Sequence, residues 1–441
     1  MQGPWRPLAV VATAQFLVVL TTSIVNVALP AIGQGLGLSP AGLSWVVNAY
    51  VLTFGALLLF GGRLGDVLGR RRIFLAGTTV FTAGSVAAGA AASSWTLIAA
   101  RGVQGFGAAL LAPTALGIVL TLFPAGGGRA RAISVWGAVS GLGGAAGVLL
   151  SGVLTDLLGW RSVFAAVAVV SAAILVASWL LVPADRPGGG CIDVTGAATV
   201  TSGLVLVTVG LTQGGWLWLL SGALLLLIFA LAQTRITHPL LRPGMLRIRT
   251  VATANLLMAL LGAAWLSVFF FLPLYQQKTL GYSPVRAGLT QLPLALAIIG
   301  GSALAPRLAR RYGATTPVTS ALAALGVGLL WLARTPAAGS FLTVLAAPSL
   351  LVGTGMGMAF VLLTEMSADG VAAADAGLAG GLVNTTRQVG GALGLAALIP
   401  LASTTGGYGA AFAGAAAIAG AGAALAFVLR TASRRVGKEN V

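Results

Sequence analysis

Two arginines lie deep inside long apolar stretches, each with amide side chains at helical spacing. Arg101 precedes Gln104 by three residues, and Asn384, Arg387 and Gln388 follow an i, i+3, i+4 pattern. Such spacings put side chains on one helix face, so each set joins a permanent cation to amides able to orient it. An arginine in mid-membrane costs roughly 2.5–3.5 kcal/mol or more unless it faces water, a cavity or a partner, which makes it a functional position by default. The chemistry such groups offer is recognition of neutral acceptors or anions. The eight carboxylates, Asp66, Asp156, Asp185, Asp193, Glu365, Asp369, Asp375 and Glu439, all sit in loops or at the ends of apolar stretches. A proton carrier needs a group whose pKa burial can poise, and Asp375 and Asp156 are the acids nearest to that role. One histidine, His238, and one cysteine, Cys191, leave no His-cluster metal site and no internal disulfide. Apolar stretches without His, Cys or acid pairs exclude an intramembrane enzyme, and no cofactor or metal is expected.

The elements that must hold these residues follow from composition. The 441 residues include 25 basic and 8 acidic ones, 7% charged against 58% hydrophobic, where soluble domains carry about 25% charge. With a mean hydropathy of +0.99, the chain reads as an all-α, multi-span protein of a cell membrane with the lipid bilayer as its solvent. The apolar block from Leu8 to Leu29 is longer than a signal-peptide core of roughly 7–15 residues and reads as the first span. Cutting at charges, Pro and Gly-Pro clusters predicts fourteen spans, near 8–30, 43–62, 73–92, 95–122, 131–155, 161–182, 194–213, 216–234, 251–273, 285–305, 315–333, 340–363, 376–402 and 408–430.

An even count places both termini on one side. Nineteen of the 25 basic residues then fall on that side, which the positive-inside rule makes the cytoplasm. The net charge of +17 thus records topology. Its basic residues are scattered in twos and threes, without the clustered patch that nucleic-acid binding requires, and no nucleic-acid partner is expected.

An internal repeat sharpens the architecture. Leu36, Gly37, Ser39 and Pro40 recur as Leu280, Gly281, Ser283 and Pro284, and the same shift of 244 places Arg63 on Arg307 and Gly69 on Gly313. A shift of eight spans implies two six-span halves separated by two extra helices. Parallel six-span repeats are the arrangement of major facilitator transporters, with the substrate site at the membrane midplane.

Several motifs resemble that superfamily. Gly62, Arg63, Leu64, Gly65, Asp66, Gly69, Arg70, Arg71 and Arg72 look like its cytoplasmic signature; the resemblance implies that Asp66, with Gly62, Gly69 and Arg70, forms a gate latch closed in the outward-open state. Arg101, Gln104, Gly105 and Gly107 resemble its second signature. In the fifth span Gly137, Gly141, Gly143, Gly144, Gly147 and Gly152 approach the exporter signature, with Val148 where the pattern has Pro; small residues so spaced are first a packing face. Leu20 to Pro30 resembles the signature of the fourteen-span drug:proton antiporter family, as do Trp45, Asn48 and Tyr50 and the run Asn384 to Gly391, although Thr21 stands where that family commonly has Asp.

The resemblance implies a major facilitator fold with residues 1–182 as a six-helix bundle, 183–250 as a linker with two extra transmembrane helices, and 251–441 as a second six-helix bundle with a short cytoplasmic tail. It implies a monomeric secondary transporter that exports small amphipathic compounds such as drugs, antibiotics or secondary metabolites, by alternating access and coupled to protons. An importer or uncoupled facilitator of a neutral or anionic solute fits the same fold, and a non-transporting scaffold or sensor is a third reading. The expected cavity residues are Arg101, Gln104, Thr22, Asn26, Asn384, Arg387 and Gln388. Trp265, Phe269, Phe270 and Phe271 could line an apolar pocket, Pro113, Pro293 and Pro348 are expected to kink spans, and His238 falls in a basic connector from Arg235 to Arg249.

Overall fold

The computed structural model describes residues 3–123, 127–185, 187–236, 239–334, 341–371, 376–404 and 407–439, which form helices and no strand. The helices are α1 Trp5–Leu36, α2 Pro40–Leu68, α3 Arg70–Gly89, α4 Ser94–Leu122, α5 Gly127–Leu158, α6 Arg161–Leu181, α7 Val194–Gln213 and α8 Trp216–Gln233. They continue with α9 Pro243–Arg247, α10 Arg249–Leu274, α11 Pro284–Thr290, α12 Leu292–Tyr312, α13 Thr315–Ala333, α14 Ala347–Ala368, α15 Ala376–Thr404 and α16 Tyr408–Glu439. Single π-helical turns extend α10 over Tyr275–Thr279 and precede α14 over Leu342–Ala346.

The repeated motif is a helix stop and start used twice. Gly37 closes α1 at φ 61°, a left-handed conformation that glycine adopts without strain, and Leu38 donates back to the Gly33 carbonyl at 3.0 Å. Ser39 then caps α2 by accepting from the Gly42 N–H at 3.1 Å, and Pro40 occupies the first turn, where its missing N–H has no partner to lose. In the second copy Gly281 stands at φ 67°, Ser283 accepts from the Arg286 N–H at 3.3 Å, and Pro284 opens α11. The far ends match too: Gly69, at φ 102°, ends α2 and Gly313, at φ 74°, ends α12.

The copies differ in between. Where α2 is continuous, the second copy breaks between Thr290 and Leu292, and Pro293 lies in the first turn of α12. There Gln276 donates to the Thr290 hydroxyl and accepts from Gln291, each at 3.1 Å, supplying polar partners at a point where a proline interrupts the backbone ladder.

Among the described residues twelve helices are long and apolar enough to cross a membrane, against the fourteen spans expected. The third and thirteenth expected spans coincide with α3 and α15, of 20 and 29 residues, which are absent from the twelve. Composition explains this. α3 opens on Arg70, Arg71 and Arg72, and α15 carries Asn384, Arg387 and Gln388 along its length.

The chain divides into two compact units, Met1–Arg242 with Tyr282–Leu289, and Pro243–Gly281 with Thr290–Val441. In the first, α4 packs on α2 and α3, α1 on α5 and α6, and α7 on α8 and α2, so α7 and α8 belong to this unit. In the second, α10 packs on α15, α16 and α14, while α13 packs on α14 and α16 and α12 on α14. Close helix approach through small residues, which drives association where lipid is as apolar as leucine, is visible at Gly105: a Cβ there would sit 2.5 Å from the Tyr50 carbonyl oxygen of α2.

Candidate functional site

In the first unit Arg101 is 1% exposed in α4, and its guanidinium is held on several sides. Nε donates to the Val46 carbonyl of α2 at 3.0 Å, a terminal nitrogen donates to Gln104 Oε1, and Cζ lies 4.3 Å above the Tyr50 ring. Buried Gln104 relays the bond: Nε2 donates to Ser85 Oγ of α3 at 2.8 Å, and that hydroxyl donates to the Phe81 carbonyl at 2.7 Å. The Tyr50 hydroxyl donates to the Val18 carbonyl of α1 at 3.2 Å. One cation therefore gathers four helices. A desolvated cation–π contact is worth about 2 kcal/mol and a hydrogen bond to a charged group about 1.5–3 kcal/mol, which together offset the burial of the charge.

On α1, Asn26 is 2% exposed; its Nδ2 donates to the Thr22 carbonyl at 3.0 Å while Oδ1 has no partner. The Thr22 hydroxyl donates to the Val19 carbonyl at 2.6 Å. Thr21, at the position of the family Asp, is buried and donates to the Leu17 carbonyl at 2.7 Å. Both amide atoms of buried Asn48 on α2 are likewise unpartnered. A buried polar group without a partner costs about 1–3 kcal/mol, so Asn26 and Asn48 are two unsatisfied polar positions among the described residues of the first unit.

In the second unit the i, i+3 reading of α15 holds: Arg387 donates from Nη2 to Asn384 Oδ1 at 2.9 Å. Its guanidinium lies 5.3 Å from the Phe360 ring centre of α14 and 5.9 Å from that of Trp265 on α10. Trp265 in turn stacks on Phe269 at 6.1 Å and tilts against Phe360 at 6.0 Å. The expected aromatic cluster therefore splits by helical phase. Trp265 stands with Arg387 and carries Phe269 stacked on it, while Phe270 and Phe271, each 1% exposed, pack internally, Phe271 against Tyr408 and Phe412 of α16. Thr386 bonds to Asn255 Oδ1 of α10 at 2.9 Å, and a Cβ at Gly262 would collide with the Arg387 carbonyl oxygen, so α10 sets the height of this site. Gln388 is 7% exposed, with its Nε2 unpartnered.

Among the described residues the ion pair recorded is Asp66 with Arg70, at 3.0 Å; Arg101 and Arg387 have no carboxylate partner. Both members of the pair are substantially exposed, so the contact itself contributes at most about 1 kcal/mol. Arg70 also donates to the Gly117 carbonyl at 3.1 Å and the Thr121 hydroxyl at 2.7 Å on α4. Gly62 meets only an ordinary contact at Pro113, 3.5 Å away, whereas Gly65 is the tight position, 2.6 Å from Thr114. Sequence reasoning missed Asp185. Its carboxylate accepts from the Arg70 and Arg71 N–H groups at 2.5 and 3.0 Å, capping α3 from a segment more than a hundred residues away; no local spacing signals such a cap.

The remaining expectations sort simply. Asp156 is exposed near the end of α5, and Asp375 and His238 lie outside the described residues. Of the three prolines expected to kink spans, Pro113 lies inside α4, Pro293 follows the break between α11 and α12, and Pro348 follows the π-helical turn that leads into α14. Gly143 and Gly147 of α5 press on the α1 backbone, as a packing face should.

The long apolar helices among the described residues define a class: multi-pass membrane proteins. Residues 11–395 match the Major Facilitator Superfamily, and the chain belongs to that superfamily. It is 42% identical over 406 residues to the cephamycin export protein CmcT of Amycolatopsis lactamdurans, covering 89% of this chain and 84% of that one. The puromycin resistance protein pur8 of Streptomyces alboniger is 40% identical over 416 residues, 90% and 82% of the two chains. The tetracenomycin C resistance and export protein of Streptomyces glaucescens is 33% identical over 406 residues, 90% and 75%. In fold, the chain is similar to a POT family transporter solved with a thioalcohol-conjugated peptide, with a TM-score of 0.77 and 13% identity over 98% of this chain and 96% of that one. The protein is a transporter rather than an enzyme.

Proposed function

We propose that the protein exports small amphipathic compounds of drug, antibiotic or secondary-metabolite type across the cell membrane, by alternating access and in exchange for protons. The observation that carries this reading is Arg101, a buried cation bound to amide, carbonyl and aromatic groups with no carboxylate partner among the described residues. An ionisable residue at this depth in a membrane is a functional position by default. The export direction is supported by the relatives named above, and proton exchange by the resemblance to drug:proton antiporters. The reading includes a monomer, both termini in the cytoplasm, and all fourteen span-length helices crossing the bilayer; the polarity of α3 and α15 reflects the residues they bring to the latch and to Arg387. Asp66 with Arg70 belongs to a cytoplasmic latch, and Asp375 and Asp156 are proposed proton carriers.

Inside-out membrane vesicles test this. The compound exported should accumulate in vesicles containing the protein when their lumen is made acidic. Equilibration without accumulation, whatever the pH gradient, would replace antiport by facilitation, and depletion of preloaded compound from these vesicles by the gradient would replace export by import.

A further inference from the structure

The second unit contains a surplus of hydrogen-bond donors beside an aromatic wall. Arg387 commits Nη2 to Asn384, but its buried Nε has no acceptor, and Gln388, the next residue, has an unpartnered amide NH2. A guanidinium carries donors only, and a side-chain NH2 is likewise a donor. No carboxylate pairs with Arg387 among the described residues. The rings of Trp265 and Phe360 lie 5.9 and 5.3 Å from the same guanidinium, and Phe269 stacks on Trp265. A group left with donors and positive charge, in surroundings where an unpaired ion is costly, matches a ligand that brings an anion, and rings match one that brings a flat apolar body.

We propose that Arg387 is a specificity-determining residue that receives the carboxylate or similar monoanionic head of the substrate, with Asn384 orienting the guanidinium, Gln388 adding a neutral donor, and Trp265, Phe269 and Phe360 stacking on an aromatic or conjugated body. The substrate class is thus amphipathic organic monoanions. Cations of the same size are disfavoured, because Arg387 repels them and no acid among the described residues neutralises it. This inference rests on the export reading and narrows it.

Three probes sharing one ring system test the proposal: 2-naphthoate, its neutral methylamide, and the cationic 2-naphthylmethylamine. Binding to purified full-length protein in nanodiscs is measured by equilibrium dialysis, and gradient-driven accumulation is measured in inside-out vesicles. Wild type should bind the naphthoate at least about tenfold more tightly than the amide, the margin expected of a charge-assisted over a neutral contact, and bind the amine more weakly still. Arg387→Gln should lose the preference for the anion while still binding the amide, and Arg387→Lys, which keeps the charge but not the fork, should retain part of it. Trp265→Leu should weaken all three probes together. Equal wild-type affinity for naphthoate and amide, or an undiminished preference in a folded Arg387→Gln protein, overturns the proposal. Accumulation of the amide and the naphthoate alike would overturn it while leaving export intact; anion-selective binding without accumulation would leave this site intact and overturn export.

Discussion

Gln104→Leu isolates the relay that holds Arg101. The substitution removes the acceptor for an Arg101 nitrogen and the donor to Ser85 Oγ while keeping a side chain of similar bulk. A hydrogen bond to a charged group is worth about 1.5–3 kcal/mol, and 1.4 kcal/mol is a factor of about ten, so transport through states that keep this cluster should fall roughly 10- to 100-fold. Ser85→Ala removes only the neutral end of the relay, about 1 kcal/mol or roughly fivefold. Because Ser85 reaches Arg101 through Gln104, Ser85→Ala should add almost nothing in the Gln104→Leu background, and the coupling in a double-mutant cycle should nearly equal the whole Ser85 effect. Gln104→Glu places a carboxylate beside the cation and should raise thermal stability while slowing transport. Vesicle transport rates with thermal midpoints of the purified proteins provide both readouts. Additive effects of Ser85→Ala and Gln104→Leu, or wild-type transport by Gln104→Leu, would refute the relay.

Gly262→Ala should depress both stability and transport, because its Cβ meets the Arg387 carbonyl oxygen, and overpacking of this kind costs about 1–3 kcal/mol; Gly300→Ala, with nothing within 4 Å, should be silent in the same thermal and transport assays. Asp185→Ala should destabilise the protein by about 1 kcal/mol through loss of the α3 cap, seen as a lower thermal midpoint, with Asp185→Asn closer to wild type. Cys191 is exposed and lies between α6 and α7, so a membrane-impermeant maleimide should label it in inside-out vesicles and leave it unlabelled in intact cells. The reverse pattern would invert the topology.

Local signals were legible wherever they repeat or carry unlike chemistry. The Gly-x-Ser-Pro motif announced both helix restarts, because a left-handed glycine, a capping serine and a first-turn proline each have one favourable backbone position. Arg101 with Gln104 and Arg387 with Asn384 were readable from helical spacing, since a three-residue step brings side chains together without any tertiary information. Tyr50 was visible as part of a motif, but its place under Arg101 was not, since cation–π partners come from another helix. The same holds for Phe360 beside Arg387, and for Asp185, whose partners are backbone N–H groups that every residue possesses. The polar residues of α15 were legible as one helix face, and their charge and amides also keep that helix out of the twelve that qualify as spans by composition among the described residues.

The most direct measurement for the account is accumulation of a transported compound in acid-lumen, inside-out vesicles by wild type and by an Arg101→Ala protein of matched abundance. Wild type should show gradient-dependent accumulation and the variant a fall of at least about tenfold, because a buried cation in mid-membrane is a functional position by default. Equal accumulation by the two proteins would contradict it, and would reduce Arg101 to a structural tie among α1, α2, α3 and α4.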